Sequence, residues 1–146
     1  YLEQLSNPIL LEGLKLLEPK IRALSIEEIN GKHLVCATLD SGKLLPMNLM
    51  GEGINHLVLT LATVLETSQS VILWDEIERS YYPGFLIRLW KLITDNELER
   101  RRQFFIVTHD HNFLRQINFT KHDGKLFQLF RNSEGDPTVR SVTNVS

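Results

Sequence analysis

Two short apolar segments, each followed at once by polar residues, constrain the fold of this chain more than any other feature. Val71–Trp74 runs directly into Asp75 and Glu76, and Phe104–Val107 runs directly into residues 108–110, which are Thr, His and Asp. Short, uniformly apolar runs of this kind are typical of strands buried in a parallel sheet. Because chemistry gathers at the carboxyl ends of such strands, we predict that the two polar clusters meet at one edge of a sheet.

Helix-periodic segments flank both predicted strands. Apolar residues recur at helical spacing over residues 57–65, and again over residues 85–93, after Pro83, a residue that suits the first turn of a helix. Residues 1–17 show the same spacing, with Pro8 marking either a kink or a fresh start. The alternation of helices and strands predicts an α/β fold, in which helices cover a parallel sheet.

A small antiparallel sheet is expected before the first of these strands. Asn30-Gly31 is a strong two-residue hairpin signal between Ile21–Ile29 and His33–Leu39, and a second turn precedes Leu44–Met47. Further strands are predicted at residues 126–130 and 138–142. We therefore expect residues 1–50 to hold a helix and the small sheet, and residues 51–146 to hold the parallel strands, their helices and the closing strands.

The composition narrows the classes of protein. A length of 146 residues fits one domain, and a net charge of −2 gives no global attraction for nucleic acid. The run Glu97–Arg102 ends in three arginines, which favours a solvated helix end over a phosphate-binding patch. Cys36 is the sole cysteine, so we expect a buried thiol and no disulfide. No apolar run is long enough for a membrane span, and a cytoplasmic setting is the default expectation.

The acidic pair after the first strand suggests metal and water chemistry. Asp75 could help to hold Mg²⁺ through a coordinated water, since Mg²⁺ dehydrates reluctantly. Glu76 could orient or deprotonate a water that attacks a γ-phosphate, and His109 could hydrogen-bond that phosphate or the water. Taken singly, each feature also fits a solvated strand end or a turn.

Gly51-Glu52-Gly53 stands at the start of the first predicted parallel-sheet helix. Glycines there allow close backbone approach, and the free N–H groups of a helix start favour phosphate. A plain turn with a cap is the alternative, because short Gly-x-Gly motifs are common.

The order of these motifs resembles the second half of an ABC-type ATPase domain. Residues 51–53 lie where the signature loop falls, VILWDE resembles Walker B with its catalytic Glu, and IVTHD resembles the switch-histidine segment. The similarity is greatest to SMC-like ATPases and the related OLD-like family, and it extends from about Leu11 to Arg131. Where that family has Leu-His-Pro after the acids, this chain has Tyr81-Tyr82-Pro83.

The resemblance implies a function and a set of partners. It implies ATP and Mg²⁺ as cofactors, with Asp75 on the metal, Glu76 and His109 as catalytic residues, and residues 51–53 contacting nucleotide across a homodimer. It further implies an effector that responds to hydrolysis, such as a nuclease or another DNA-acting partner. No membrane partner is expected.

The P-loop, which binds the phosphates in such a site, is not found in this sequence. Gly-Lys pairs occur at Gly31, Gly42 and Gly124, and none stands in a Gly-x-x-x-x-Gly-Lys-Ser/Thr motif. We therefore expect this chain to be a C-terminal fragment or a split subunit that is inactive alone. Two alternatives remain open: a regulatory or interaction module that binds no nucleotide, and a metal-dependent nuclease built on Asp75, Glu76 and Asp110.

Overall fold

The computed structural model describes residues 5–66, 71–97, 102–117 and 123–142, which divide into two compact units, Tyr1–His109 and Asp110–Ser146. The first unit contains, in order, α1 (Pro8–Leu17), β1 (Ile21–Ile29), β2 (Lys32–Leu39), β3 (Leu44–Pro46), α2 (Glu52–Glu66), β4 (Val71–Trp74), α3 (Pro83–Glu97) and β5 (Gln103–Ile106). The second contains α4 (His111–Gln116), β6 (Leu126–Arg131) and β7 (Pro137–Val142). Short 3-10 turns follow β3 and β4 at Met47–Leu49 and Ile77–Ser80.

Helix α1 begins at Pro8, so this proline marks a fresh start and not a kink. The Asn7 side chain accepts a hydrogen bond from the backbone N–H of Ile9 at 2.9 Å and caps the helix. Further along, Gly13 is buried where α1 approaches α2 and α3. A Cβ at this position would overlap the Leu61 side chain and lie 3.2 Å from Leu92 Cδ2, so glycine permits this close packing. Residues 1–4 of the predicted helix lie outside the described part of the chain.

The small antiparallel sheet is confirmed, with β2 between β1 and β3. Asn30 and Gly31 both have positive φ angles, 52° and 73°, as a two-residue hairpin turn requires. Cys36 is fully buried at the centre of β2, where burial, together with the nearby Glu27 carboxylate, raises the pKa of its thiol. It is therefore a core residue, as predicted.

Strands β4 and β5 pair in parallel, with Val71 opposite Gln103 and Trp74 opposite Ile106. The predicted parallel arrangement is confirmed, but the expectation that both faces of these strands are buried is wrong. Exposure alternates along both strands, and Leu73 is 77% exposed. The side chains of one face are half-buried, while those of the opposite face are open to solvent within the described residues: Val71, Leu73, Phe105 and Val107.

Helices pack against each other to form the main core of the first unit. Fully buried side chains from all three helices contribute to it: Leu10, Leu14, Leu57, Leu61, Phe85, Leu86 and Leu89. Helix α3 also contacts the parallel pair, because the Trp90 ring meets the Phe104 ring edge-on, with centroids 5.4 Å apart. This contact fixes α3 against the half-buried face of β5.

The second unit consists of a short helix and a hairpin. The Asp110 carboxylate accepts hydrogen bonds from the backbone N–H groups of Asn112 and Phe113 at 2.8 and 3.2 Å, and so caps α4. The two predicted closing strands are confirmed, since β6 and β7 pair antiparallel on either side of residues 132–136. Most of the arginine run is outside the described residues, which exclude positions 98–101. Among the helices that the structure describes, none is both long and apolar enough to span a membrane.

Candidate functional site

The carboxyl ends of β4 and β5 remain hydrogen-bonded beyond the last paired residues. The Val107 N–H donates to the Trp74 carbonyl at 2.9 Å, and the Ile77 N–H donates to the Val107 carbonyl at 3.4 Å. The acidic pair at residues 75–76 therefore leaves the sheet at the same edge as residues 108–109. This juxtaposition, which the sequence predicts, brings both polar clusters to one place.

Glu76 occupies a left-handed backbone conformation, with φ 46° and ψ 55°. For a residue with a side chain this conformation costs about 1 kcal/mol, and such strain is often found at functional sites. It turns the chain out of β4 and into the 3-10 turn Ile77–Ser80. The Arg79 Nε lies 2.9 Å from Glu76 Oε2, but the Arg79 side chain is 80% exposed, so this ion pair contributes little to stability.

Glu78 joins the two strand ends, a role that the sequence did not predict. The Thr108 hydroxyl donates to Glu78 Oε2 at 2.6 Å, and the His109 backbone N–H donates to Glu78 Oε1 at 2.7 Å. Partial burial raises the pKa of Glu78, but these two hydrogen bonds and the proximity of the His109 ring outweigh it, so the pKa falls below its ordinary value. The carboxylate is therefore ionised at neutral pH.

A signal for Glu78 was present in the sequence. It is the third residue after Asp75, and a tight turn after a strand returns such a residue toward the neighbouring strand end. Thr108 and His109, the donors, were already known to follow the next apolar segment. The sequence does not predict the type of turn, because the turn depends on the left-handed backbone conformation of Glu76.

Asp75 and His109 are both exposed at this edge. Within the described part of the chain, no group of three or more His, Cys, Asp or Glu side chains could hold a metal ion together. A lone exposed carboxylate nevertheless fits Mg²⁺, which keeps several waters and commonly takes one or two protein carboxylates with substrate phosphates. Asp75 is the residue that could supply this oxygen ligand.

The Gly51-Glu52-Gly53 segment starts α2 in the way its glycines suggest. Gly51 has a φ of 97°, and its carbonyl accepts a hydrogen bond from Asn55 Nδ2 at 3.1 Å. Glu52 is exposed in the first turn, and Gly53 lies near the 3-10 turn of the same chain, since a Cβ there would be 4.0 Å from the Ser80 carbonyl oxygen. Contact of these three residues with nucleotide stays a prediction.

Tyr81 and Tyr82, which directly precede α3, have distinct environments. Tyr81 is buried, its ring centroid lies 5.0 Å from that of Phe85, and burial raises the pKa of its phenol, an effect that Thr60 partly offsets. Tyr82 is exposed, and its hydroxyl accepts a hydrogen bond from Arg88 at 2.6 Å. Tyr81 thus takes the packing role of an apolar residue and fixes the turn to α3.

A cavity of about 240 Å³ lies between α2 and β4, and none of the predicted site residues lines it. Its lining is mostly apolar: Leu59, Thr60, Thr63, Val64, Ile72, Leu73 and Trp74. The candidate site is therefore the exposed edge beyond β4 and β5 and not this cavity.

This architecture has the P-loop NTPase fold that is seen in SMC ATPase heads. It is similar to a solved structure from work on ATP-driven dimerization and DNA-stimulated activation of SMC ATPases, with a TM-score of 0.68, 17% identity, and coverage of 97% of this chain and 85% of that chain. It is also similar to the Smc head domain with a coiled coil and joint from Pyrococcus yayanosii, with a TM-score of 0.59 and 16% identity. That match covers 92% of this chain and 26% of the other.

The sequence itself identifies the family. The chain belongs to the family described as "AAA domain, putative AbiEii toxin, Type IV TA system", whose profile matches residues 1–115. No curated protein matches the sequence significantly. The finer resemblance to OLD-like proteins stays a prediction.

Proposed function

We propose that this chain forms the part of an ATP-hydrolysing head domain that carries the metal ligand, the general base and the phosphate sensor. The observation that carries the proposal is the meeting of Asp75, Glu76 and His109 at the hydrogen-bonded ends of two adjacent parallel strands. Membership of an AAA-domain family and the fold of an ATPase head support the same reaction class.

Each side chain has one role in the proposed reaction. Asp75 helps to hold Mg²⁺, which neutralises charge on the phosphates when it is bound. Glu76 accepts a proton from the water that attacks the γ-phosphate in line with the leaving oxygen. His109 donates a hydrogen bond to a γ-phosphate oxygen and so registers whether that phosphate is present.

The remaining contacts come from outside these 146 residues. A P-loop on another stretch of polypeptide grips the β- and γ-phosphates, and the segment Gly51–Gly53 of a second copy contacts the nucleotide across a homodimer. The SMC relative is described as dimerizing with ATP and responding to DNA. By extension, we propose that hydrolysis here changes the conformation of an effector, such as a nuclease or another DNA-acting partner.

The proposal is tested by steady-state ATP turnover of the longer protein that includes this chain and a P-loop, or of this chain with a partner that supplies the P-loop; either is called the assembly below. Glu76→Gln removes the base at constant shape, and loss of general-base catalysis is expected to lower kcat by at least about a hundredfold. Glu28→Gln, the same change at an exposed position of β1, is the matched control and is expected to turn over ATP normally.

Two results would contradict this account. Equal turnover by wild type and Glu76→Gln would remove Glu76 from its role. A wild-type assembly that binds no MgATP would show that the chain is an interaction module and not part of an ATPase.

A further inference from the structure

We propose that Glu78 is a positioning residue that holds the His109 segment at a fixed place relative to the turn that carries Glu76. The inference rests on the proposed function, because its consequence is a rate of ATP hydrolysis. It assigns a role to a carboxylate that touches neither the nucleotide nor the attacking water in that mechanism.

The geometry of the carboxylate is the first argument. Both oxygens are used, and each accepts a short hydrogen bond from one of two successive residues, Thr108 and His109, about thirty positions away in sequence. Two bonds from one planar group restrict rotation as well as distance. The bond to the His109 amide therefore fixes the backbone from which the imidazole projects.

The turn that carries Glu78 is the second argument. Glu76 opens this 3-10 turn, and its carbonyl accepts the Arg79 N–H at 2.9 Å, so Glu76 and Glu78 belong to one hydrogen-bonded unit. The same unit is tied to β5 by the bond from the Ile77 N–H to the Val107 carbonyl. Glu78 therefore links the turn of the candidate base, Glu76, to the backbone of the candidate phosphate sensor, His109.

Charge gives the third argument. The pKa of Glu78 is lowered, and an ionised carboxylate accepts stronger hydrogen bonds than a neutral group does. Glu78→Gln keeps the shape but replaces one acceptor oxygen with an NH₂ group, which cannot accept from an N–H or O–H donor. This variant therefore removes one of the two hydrogen bonds to residue 78 and weakens the other without opening a cavity.

A double-mutant cycle in the assembly with the P-loop polypeptide tests the positioning role. If Glu78 acts through His109, Glu78→Gln is expected to lower kcat by about threefold to tenfold, no more than His109→Ala does, with the KM for ATP unchanged within about twofold. The double variant Glu78→Gln/His109→Ala is expected to be no slower than His109→Ala alone, because residues that act as a unit are not additive. Glu28→Gln again serves as the control for removal of a carboxylate charge.

Two substitutions of Thr108 provide a second test of the positioning role. Thr108→Ser keeps the hydroxyl donor, so its kcat is expected to stay within about twofold of the wild-type value. Thr108→Val is isosteric but has no donor, so its kcat is expected to lie between those of wild type and Glu78→Gln. In the same proteins, mass-spectrometric hydrogen exchange of the peptide that contains His109 is expected to quicken in Glu78→Gln and not in Glu28→Gln.

The outcomes separate the two claims. Failure of the wild-type assembly to hydrolyse ATP overturns the proposed function and this inference together. A wild type that hydrolyses ATP, with kcat losses in Glu78→Gln and His109→Ala that multiply in the double variant, overturns the positioning role alone. Unchanged kcat and unchanged exchange in Glu78→Gln do so as well.

Discussion

Glu76 and Glu78 show, at the scale of the residue, which parts of the site the sequence can predict. The proposed role of Glu76 follows from a local pattern, because this residue stands beside Asp75 at the end of an apolar segment. Glu78 was missed because its contacts with Thr108 and His109 span two strands and depend on the left-handed backbone of Glu76. The spacing of Glu78 from Asp75 is compatible with these contacts, but residue spacing does not specify the left-handed backbone on which they depend.

The lowered pKa of Glu78 predicts how its contribution to stability varies with pH. The folded state favours the ionised carboxylate, so the contribution is fully present above the ordinary pKa of about 4.5 and is lost as the pH falls through the lower value of the folded state. At pH 7, Glu78→Gln is expected to lower the free energy of unfolding by about 1 kcal/mol.

Urea denaturation of both proteins between pH 7 and pH 3 measures this difference. The gap between wild type and Glu78→Gln is expected to stay constant down to about pH 5 and then to narrow. A gap that widens as the pH falls would show that the carboxylate is not stabilised in its ionised form.

At the scale of the element, the helices, strands and turns were largely predictable because their signals are local. Asn30-Gly31 predicted its hairpin from the positive φ angles that a two-residue turn requires, and Asn7 with Pro8 marks the start of α1. The burial of β4 and β5 was mispredicted. A uniformly apolar strand indicates two faces that can be buried, but burial depends on what covers each face, and the described residues cover only one.

One substitution at two positions tests this one-sided burial. Leu73 and Leu89 are 77% and 0% exposed. Leu73→Ala is expected to cost less than about 1 kcal/mol of unfolding free energy, since only strand propensity and partial contacts are lost. Leu89→Ala is expected to cost about 2–5 kcal/mol, because it leaves a cavity in the helical core.

Thermal and urea denaturation of the two variants provide the comparison. The same chemical change is made in both, so the difference isolates burial. Equal losses of stability at the two positions would mean that the open face of β4 is covered in the chain in solution.

At the scale of the whole molecule, the order of motifs carried more information than any single motif. The glycine-rich helix start, the acids after β4 and the histidine after β5 are each common, but together they predicted an ATPase-head fold that the comparisons confirm. The homodimer and the effector are predicted from the resemblance alone and stay predictions, because they depend on surfaces and chains that local patterns do not describe.

In the proposed mechanism, the ends of β4 and β5 form one site for cleavage of the γ-phosphate. Single-turnover cleavage of ATP by the assembly with its P-loop polypeptide measures this step directly, free of product release. We expect Glu76→Gln to cleave ATP at least about a hundredfold more slowly than wild type and His109→Ala about tenfold more slowly, both with nearly unchanged affinity for MgATP. Cleavage at the wild-type rate in both variants would contradict the proposed mechanism.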